Sequence, residues 1–374
     1  MTLSSKGPVP PIPLTVITGF LGAGKTTLLN RLLREPALSD TVVIVNEFGA
    51  IGLDHLLLET AEEGLVLMQS GCLCCTIRGD LLNTLENLLR KRDNNRILPF
   101  RRVVIETTGL ADPAPILQTV MAHPYLGLRY SLEGVVTVID AVNGLATLDT
   151  QPEALRQAAV ADRLVLTKTE LVDEPALLDA LKLRLQTLNP AALMLEVGQA
   201  TADSLLDCGL FNPATKMPDV SRWLRDEELL ASLGRNAHRH ADGSLHLDEE
   251  AHGASAAARD QDRQDINRHD ASIRAHAFST EKAIGAESFA LFQELLRSAH
   301  GPKLLRLKAI VKIAEKPDNP VIIHGVQTVF HPPHILERWP DADRRTRFVF
   351  ITRDLEPAFV EKLWEAFLGA TDKP

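Results

Sequence analysis

Leu14-Thr-Val-Ile-Thr18 runs directly into Gly19-Phe-Leu-Gly22-Ala23-Gly24-Lys25-Thr26-Thr27, and that loop runs into Leu28, Leu29, Leu32 and Leu33. The first stretch is short, apolar and β-branched, which reads as a strand. The four leucines fall on one face of a helix. Between them lies Gly-x4-Gly-Lys-Thr, and the strand and helix on either side supply the context that a bare eight-residue match lacks. Glycines let backbone N–H groups curl round a β-phosphate, and a helix start favours negative charge. Lys25 then reaches the β and γ phosphates, and the Thr26 hydroxyl ligates Mg²⁺. Gly19, Gly22, Ala23, Gly24, Lys25, Thr26 and Thr27 are therefore the expected cradle of a nucleoside triphosphate.

Two later segments fit the same site. Arg102-Val-Val-Ile-Glu106-Thr-Thr-Gly109 is an apolar strand that ends in a carboxylate, with a glycine three residues on. That suits Glu106 to the neighbourhood of Mg²⁺ and the Gly109 amide to sensing a γ-phosphate. Arg163-Leu-Val-Leu-Thr167-Lys168-Thr169-Glu170 resembles the Asn-Lys-x-Asp motif with which GTPases read the base, with Thr167 in place of Asn and Glu170 in place of Asp. A carboxylate accepts from guanine N1–H and the 2-amino group, and a lysine stem covers the base. The expected ligand is GTP.

Ser70-Gly-Cys72-Leu-Cys74-Cys75-Thr76 carries a different chemistry. Thiolate is a soft ligand that suits Zn²⁺, Cu⁺ and, less selectively, Co²⁺, and one loop here offers up to three. Cys74 and Cys75 cannot point the same way in a regular strand, so a turn is implied. Packing as small hydrophobes and a redox role are the other readings of such a cluster. For the fourth ligand the leading protein candidate is Glu47, with water or a client residue as alternatives. His331-Pro-Pro-His334 reads as a rigid turn after a strand, because its prolines forbid helical pairing of the two imidazoles. Cys208 stands alone as a packing residue.

Composition bounds the class. The chain has 374 residues, 45% of them hydrophobic, which is more than one average domain and enough for a sizeable core. A formal net charge of −9 argues against a nucleic-acid binder that works by neutralising phosphates. Met1 to Pro13 holds Pro8, Pro10, Pro11 and Pro13 but no apolar leader core, and no run is long enough to span a bilayer. A cytoplasmic protein is expected, with no membrane partner. Four cysteines, three of them within four positions, favour reduced thiols over a disulfide framework.

Apolar β-rich segments near 14–18, 42–46, 65–69, 102–106, 134–140, 163–167 and 193–197 alternate with helical patterns such as Leu81 to Arg90, Pro152 to Val160 and Pro175 to Leu188. The alternation predicts an α/β fold, a P-loop NTPase domain with a mostly parallel sheet over 14–235, following a flexible arm at 1–13. Its active residues belong at the carboxyl ends of the strands. From 236 to 270 the pattern gives way to His238, His240, His246, His252 and His269 among many acidic residues, a solvated linker whose histidines either collect metal weakly or are incidental. Over 271–374 a strand at 272–278, a helix at 287–298, strands near 303–312, 321–330 and 346–352 and a helix at 357–368 form a smaller α+β C-terminal domain.

Gly19 to Asn30, Val45-Asn46-Glu47-Phe48-Gly49, Ser70 to Cys75, Glu106-Thr-Thr-Gly-Leu-Ala-Asp-Pro113 and Thr167 to Glu170 together resemble the CobW family, the metal-trafficking P-loop GTPases that include HypB and UreG. His324-Gly-Val-Gln327 through Arg345-Thr-Arg-Phe-Val-Phe-Ile-Thr352 looks like the CobW C-terminal domain. The resemblance spans most of the chain. It implies a GTPase that grips Zn²⁺, or Co²⁺, while Mg²⁺ and GTP are bound, and passes the ion to a client apo-metalloprotein or chelatase after hydrolysis. It also implies that the C-terminal domain is a surface for clients or for a homo-oligomer. Cobalt supply for cobalamin synthesis and activation of nitrile hydratase are the nearest rival duties. A metal-independent GTPase and a P-loop small-molecule kinase are rivals of another class, and the kinase leaves the cysteines and Lys168 to Glu170 unexplained.

Overall fold

The computed structural model describes residues 10–45, 67–69, 77–97, 99–206, 237–239, 245–247, 273–330, 333–355 and 358–370. As far as Leu206 the strands are β1 (Ile12–Thr18), β2 (Thr41–Val45), β3 (Leu67–Gln69), β4 (Arg102–Glu106), β5 (Tyr130–Asp140), β6 (Arg163–Thr167) and β7 (Leu193–Glu196). The helices are α1 (Lys25–Leu32), α2 (Ile77–Asp93), α3 (Pro113–Ala122), α4 (Leu126–Arg129), α5 (Gly144–Thr150), α6 (Pro152–Ala159), α7 (Pro175–Leu188) and α8 (Ala202–Leu206). The chain divides into two compact units. One takes Met1–Ala141, Ala161–Leu171 and Leu193–Phe211, and the other takes Val142–Val160, Val172–Ala192 and Asn212–Pro374.

The first unit is built on a seven-stranded sheet in the order β3-β2-β4-β1-β5-β6-β7, with every pair parallel. β1 sits in the middle, Val16 lying opposite Ile105 on one side and Val135 on the other. Residues on both faces are buried, which is why β4 and β6 read as continuous apolar runs rather than alternating ones. Ile17, Val43, Val104, Val138 and Val165 pack with Leu28, Leu29 and Leu32 of α1 and with Leu205 of α8. Pro113 starts α3 behind Asp112, whose side chain accepts from the Ala114 amide at 3.0 Å. Proline at the first turn and aspartate at the cap each relieve an amide that has no helical partner there.

The second unit holds α5, α6 and α7 together with the C-terminal sheet. That sheet comprises β10 (Ile273–Thr280), β11 (Leu304–Ile313), β12 (Lys316–Val326), β13 (Val329–Phe330), β14 (His334–Ile335) and β15 (Thr346–Arg353), antiparallel in the order β10-β15-β11-β12-β13, with β14 on β12. On one face, α9 (Ala286–His300) and α10 (Ala358–Ala370) close a core of Phe278, Phe348, Phe350, Phe289, Phe292 and Trp364. The Trp364 ring meets Phe292 at 5.1 Å and 88° and Phe348 at 4.9 Å and 64°, edge-to-face contacts that add to plain burial. Toward the other face, Arg306 donates to the Val160 carbonyl, and Val349 and Ala277 pack with Ala191. Stretches next to α6 and α7, within the expected 14–235 segment, thus share a compact unit with the C-terminal sheet.

The 236–270 segment is not wholly without regular structure. β8 (Ala237–Arg239) and β9 (Leu245–Leu247) pair antiparallel, His238 opposite His246. The sequence between them includes Asp242-Gly243, a dipeptide that favours hairpin turns, and this local signal is outweighed in a reading based on composition. Of the expected turn at 331–334, His331 and Pro332 lie outside the described residues, while His334 opens β14 opposite Ile322. Cys208 also lies outside them. Among the described residues, no helix is long and apolar enough to cross a membrane.

Candidate nucleotide site

The loop after β1 is shaped by glycine at the points of closest approach. Gly19 has φ of 142°, and a Cβ there would lie 2.3 Å from the Val138 carbonyl oxygen, so any side chain would push β1 away from β5. Gly24, at φ 90°, precedes α1, and its carbonyl accepts from Leu28 N at 2.9 Å. Lys25 folds back so that Nζ donates to the Gly19 and Phe20 carbonyls at 3.0 and 3.2 Å. A phosphate oxygen is a stronger acceptor than either carbonyl, so the ammonium is already beside the place it would serve. Thr27, next along the helix, is exposed.

Glu106 closes β4 beside Ile17 and is almost wholly buried. Thr26 Oγ1 donates to Glu106 Oε1 at 2.7 Å, joining the first turn of α1 to the end of the neighbouring strand. A hydroxyl and a carboxylate held together at a loop of this kind are hard oxygen donors of the sort Mg²⁺ takes. Thr107 fixes the strand end: its amide donates to Ile17 O at 2.9 Å and its hydroxyl to Thr18 Oγ1 at 2.8 Å. Gly109 lies tight against the loop, since a Cβ on it would come within 2.6 Å of the Leu21 amide nitrogen. A larger residue at 109 would force Leu21 and the phosphate loop outward.

At the other end of the site, Thr167 is buried, and its hydroxyl lies 2.7 Å from Ala23 O and 3.1 Å from Ile139 O. Lys168 adopts the left-handed region, φ 57°, and its Nζ bonds to Asp140 Oδ2 at 2.7 Å. That ion pair runs the lysine stem across the mouth between β5 and β6 and leaves the ammonium occupied. Glu170 is exposed in the one-turn segment Thr169–Leu171, with the Leu171 amide donating to Lys168 O at 3.1 Å. Thr107 and Asp140 were not singled out from the sequence. For Asp140 the signal was present, because β5 ends in a carboxylate just as β4 does.

The structure therefore brings Gly19 to Thr27, Glu106, Gly109, Thr167, Lys168 and Glu170 to the carboxyl edge of one parallel sheet, where such folds bind ligands. Glu47, Cys72, Cys74 and Cys75 lie outside the described residues. Among the described residues, no group of three or more His, Cys, Asp and Glu side chains could hold a metal ion.

Comparison with known proteins decides the family. Residues 13–196 match the nucleotide-binding domain shared by CobW, HypB and UreG, and residues 273–368 match the C-terminal domain of the cobalamin synthesis protein CobW.

The chain belongs to the CobW family.

Within it, the zinc chaperone YjiA of Escherichia coli is 42% identical over 164 residues, covering 44% of this chain and 51% of that protein. The zinc chaperone CobW of Pseudomonas aeruginosa is 29% identical over 382 residues, covering 93% and 89%. The crystal structure of Zn(II)-bound YjiA GTPase from E. coli superposes with a TM-score of 0.64 at 27% identity over 96% of this chain and 99% of that one. The chain thus spans about half the length of the first of these relatives.

Proposed function

We propose that this chain is a GTP-hydrolysing metallochaperone, with zinc as its cargo. The observation that carries the reading is the Thr26–Glu106 pair at 2.7 Å, set at the end of a sheet whose neighbouring strands close level with it. Val45 is in register with both Glu106 and Gln69, so β2 and β3 end beside the pair. The chain continues from those two strands into the Glu47 segment and the Cys72, Cys74 and Cys75 segment. Lys25, Thr26 and Glu106 hold the triphosphate and Mg²⁺, and the Gly109 amide senses the γ-phosphate. When bound, Mg²⁺ would neutralise the charge that develops on the phosphates in transfer. Lys168 covers the base and Glu170 reads guanine N1–H and the 2-amino group. Loss of the γ-phosphate then loosens the segments after β2 and β3 and lowers metal affinity. The relatives called zinc chaperones favour zinc over cobalt as the ion passed to a client apo-metalloprotein or chelatase.

The test is a metal titration in two nucleotide states. With Mg²⁺ and a non-hydrolysable GTP analogue, the full chain should bind one Co²⁺ or Zn²⁺ through thiolates, seen for Co²⁺ as sulfur-to-metal charge-transfer absorption. Exchange for GDP should weaken binding by about 5- to 150-fold, the usual range of allosteric coupling. Cys74→Ser with Cys75→Ser should abolish the absorption and leave nucleotide binding intact. Equal metal affinity in both states, or survival of the thiolate band in the double variant, would leave a metal-independent GTPase as the better account.

A further inference from the structure

Thr167 stands where GTPases carry the asparagine of the base-reading motif, and the sequence alone makes it a nucleotide contact. Its surroundings point elsewhere. The side chain closes β6, is buried, and has a single hydroxyl proton within reach of two backbone carbonyls, Ala23 O at 2.7 Å and Ile139 O at 3.1 Å. Its own carbonyl accepts from Ala141 N at 2.9 Å. Its methyl group faces the phosphate loop, where a Cβ added to Gly24 would come within 3.7 Å of Thr167 Cγ2. A proton engaged by those carbonyls is not offered to N7 or O6, the acceptors of guanine.

We propose that Thr167 is a positioning residue that fastens the base-reading turn to the phosphate loop. Ala23 is flanked by the glycines of the cradle and precedes Lys25 by two residues, while Lys168, Thr169 and Glu170 follow Thr167 directly. One hydroxyl thereby fixes the distance between the group that grips phosphate and the groups that meet the base. A nucleotide must satisfy both at once, so a fixed separation raises the effective concentration of each half of the site for a ligand already held by the other. Threonine suits the task better than the longer asparagine here. Its hydroxyl reaches Ala23 O from a buried strand end, and its methyl fills the space beside Gly24. The inference rests on the guanine-nucleotide reading given above.

Thr167→Val removes the hydroxyl at nearly constant shape, and Thr167→Ser keeps it. Equilibrium binding is measured with a non-hydrolysable GTP analogue, its 7-deaza counterpart, which lacks N7, and a 2-aminopurine riboside counterpart, which lacks O6. The temperature is one at which circular dichroism shows each variant folded. Thr167→Val should weaken all three ligands by a common factor of about 5 to 10, the scale of one buried neutral hydrogen bond, and Thr167→Ser should restore wild-type affinity. Thr167→Ala serves the same purpose if the valine variant does not fold. Unchanged affinity in the valine variant, even with a lowered Tm, would reduce Thr167 to a packing residue and overturn the proposal. A loss that disappears for the 7-deaza ligand alone, or for the 2-aminopurine ligand alone, would overturn it in favour of direct contact with N7 or with O6. If the wild type itself fails to bind the GTP analogue, the nucleotide reading falls first, an outcome plainly distinct from either.

Discussion

Buried polar side chains gather along one edge of the parallel sheet, and across one face of the antiparallel sheet. In the first unit Thr18, Glu106, Thr107 and Thr167 all lie where strands end and are nearly inaccessible to solvent. In the second unit Lys308 is in register with His324 and Val349, Ile310 with Arg347, and Arg306 with Ile351. The two-residue period of a strand therefore sets Arg306, Lys308, His324 and Arg347 on the face opposite the Phe348 and Trp364 core. Arg347 is held there by both oxygens of Asp341 at 3.0 Å. The contrast separates two uses of buried polarity. Groups at a strand end converge on a point outside the sheet and can meet a ligand, whereas groups on a face are matched by the chain that covers them. The first kind should govern activity and the second stability.

Lys25→Ala is the strongest attempt to break that division. It removes the ammonium proposed to face the phosphates, and on that reading hydrolysis should fall by several orders of magnitude, on the order of the 10³- to 10⁵-fold effects seen for other charges in phosphoryl transfer. Thermal stability without nucleotide should move little, because the ammonium is bonded to carbonyls of a solvent-facing loop. Steady-state turnover beside a melting curve reads both; near-normal turnover would remove the phosphate loop from the chemistry.

Arg306→Leu should do the opposite. It strips a donor from the buried Val160 carbonyl, so stability should drop by about 1–3 kcal/mol, while affinity for GTP should stay within about twofold of wild type, because Arg306 is not among the residues placed in the nucleotide site. Urea unfolding monitored by tryptophan fluorescence gives the first number and equilibrium binding the second. A large loss of nucleotide affinity without loss of stability would merge the two classes of residue.

The smallest expected effect is a pH slope. Burial pushes His276 down to about 4 from 6.5, with Arg274 adding to the fall, and its ring lies 5.4 Å from Phe350. The unfolded chain then binds a proton that the folded chain refuses between those values, so stability should decrease as pH falls from about 6.5 towards 4. His276→Phe should flatten the decline of Tm across that window and leave the neutral-pH value nearly unchanged. An equal slope in the variant would assign the acid sensitivity to other groups.

The local elements were readable from residue pattern because their causes are local. Pro175 to Leu188 is a helix with those bounds, and Arg102 to Glu106 a strand with those bounds, because a proline start, a leucine period or a β-branched run acts within a few residues. The places of Lys25 and Thr26 at the start of α1 and of Glu106 at the end of β4 were likewise legible, since a glycine loop between strand and helix, and an apolar run closed by a carboxylate, are local patterns. The pairing of β8 with β9 was missed for the converse reason: Ala237–Arg239 and Leu245–Leu247 are three residues each, too short to show a period inside a polar tract.

The sequence by itself determined the phosphate loop, the alternation of strand and helix, and the family pattern, all of which follow from neighbours along the chain. Only the tertiary structure decided the strand order β3-β2-β4-β1-β5-β6-β7, the pairing of Lys168 with Asp140, the closeness of Gly109 to Leu21, and the gathering of α5, α6 and α7 into the unit of the C-terminal sheet. Thr167 shows why. Its residue type suggested a base contact, but its hydroxyl bonds to a carbonyl 144 residues away, and a partner so distant is chosen by which strands come to lie side by side.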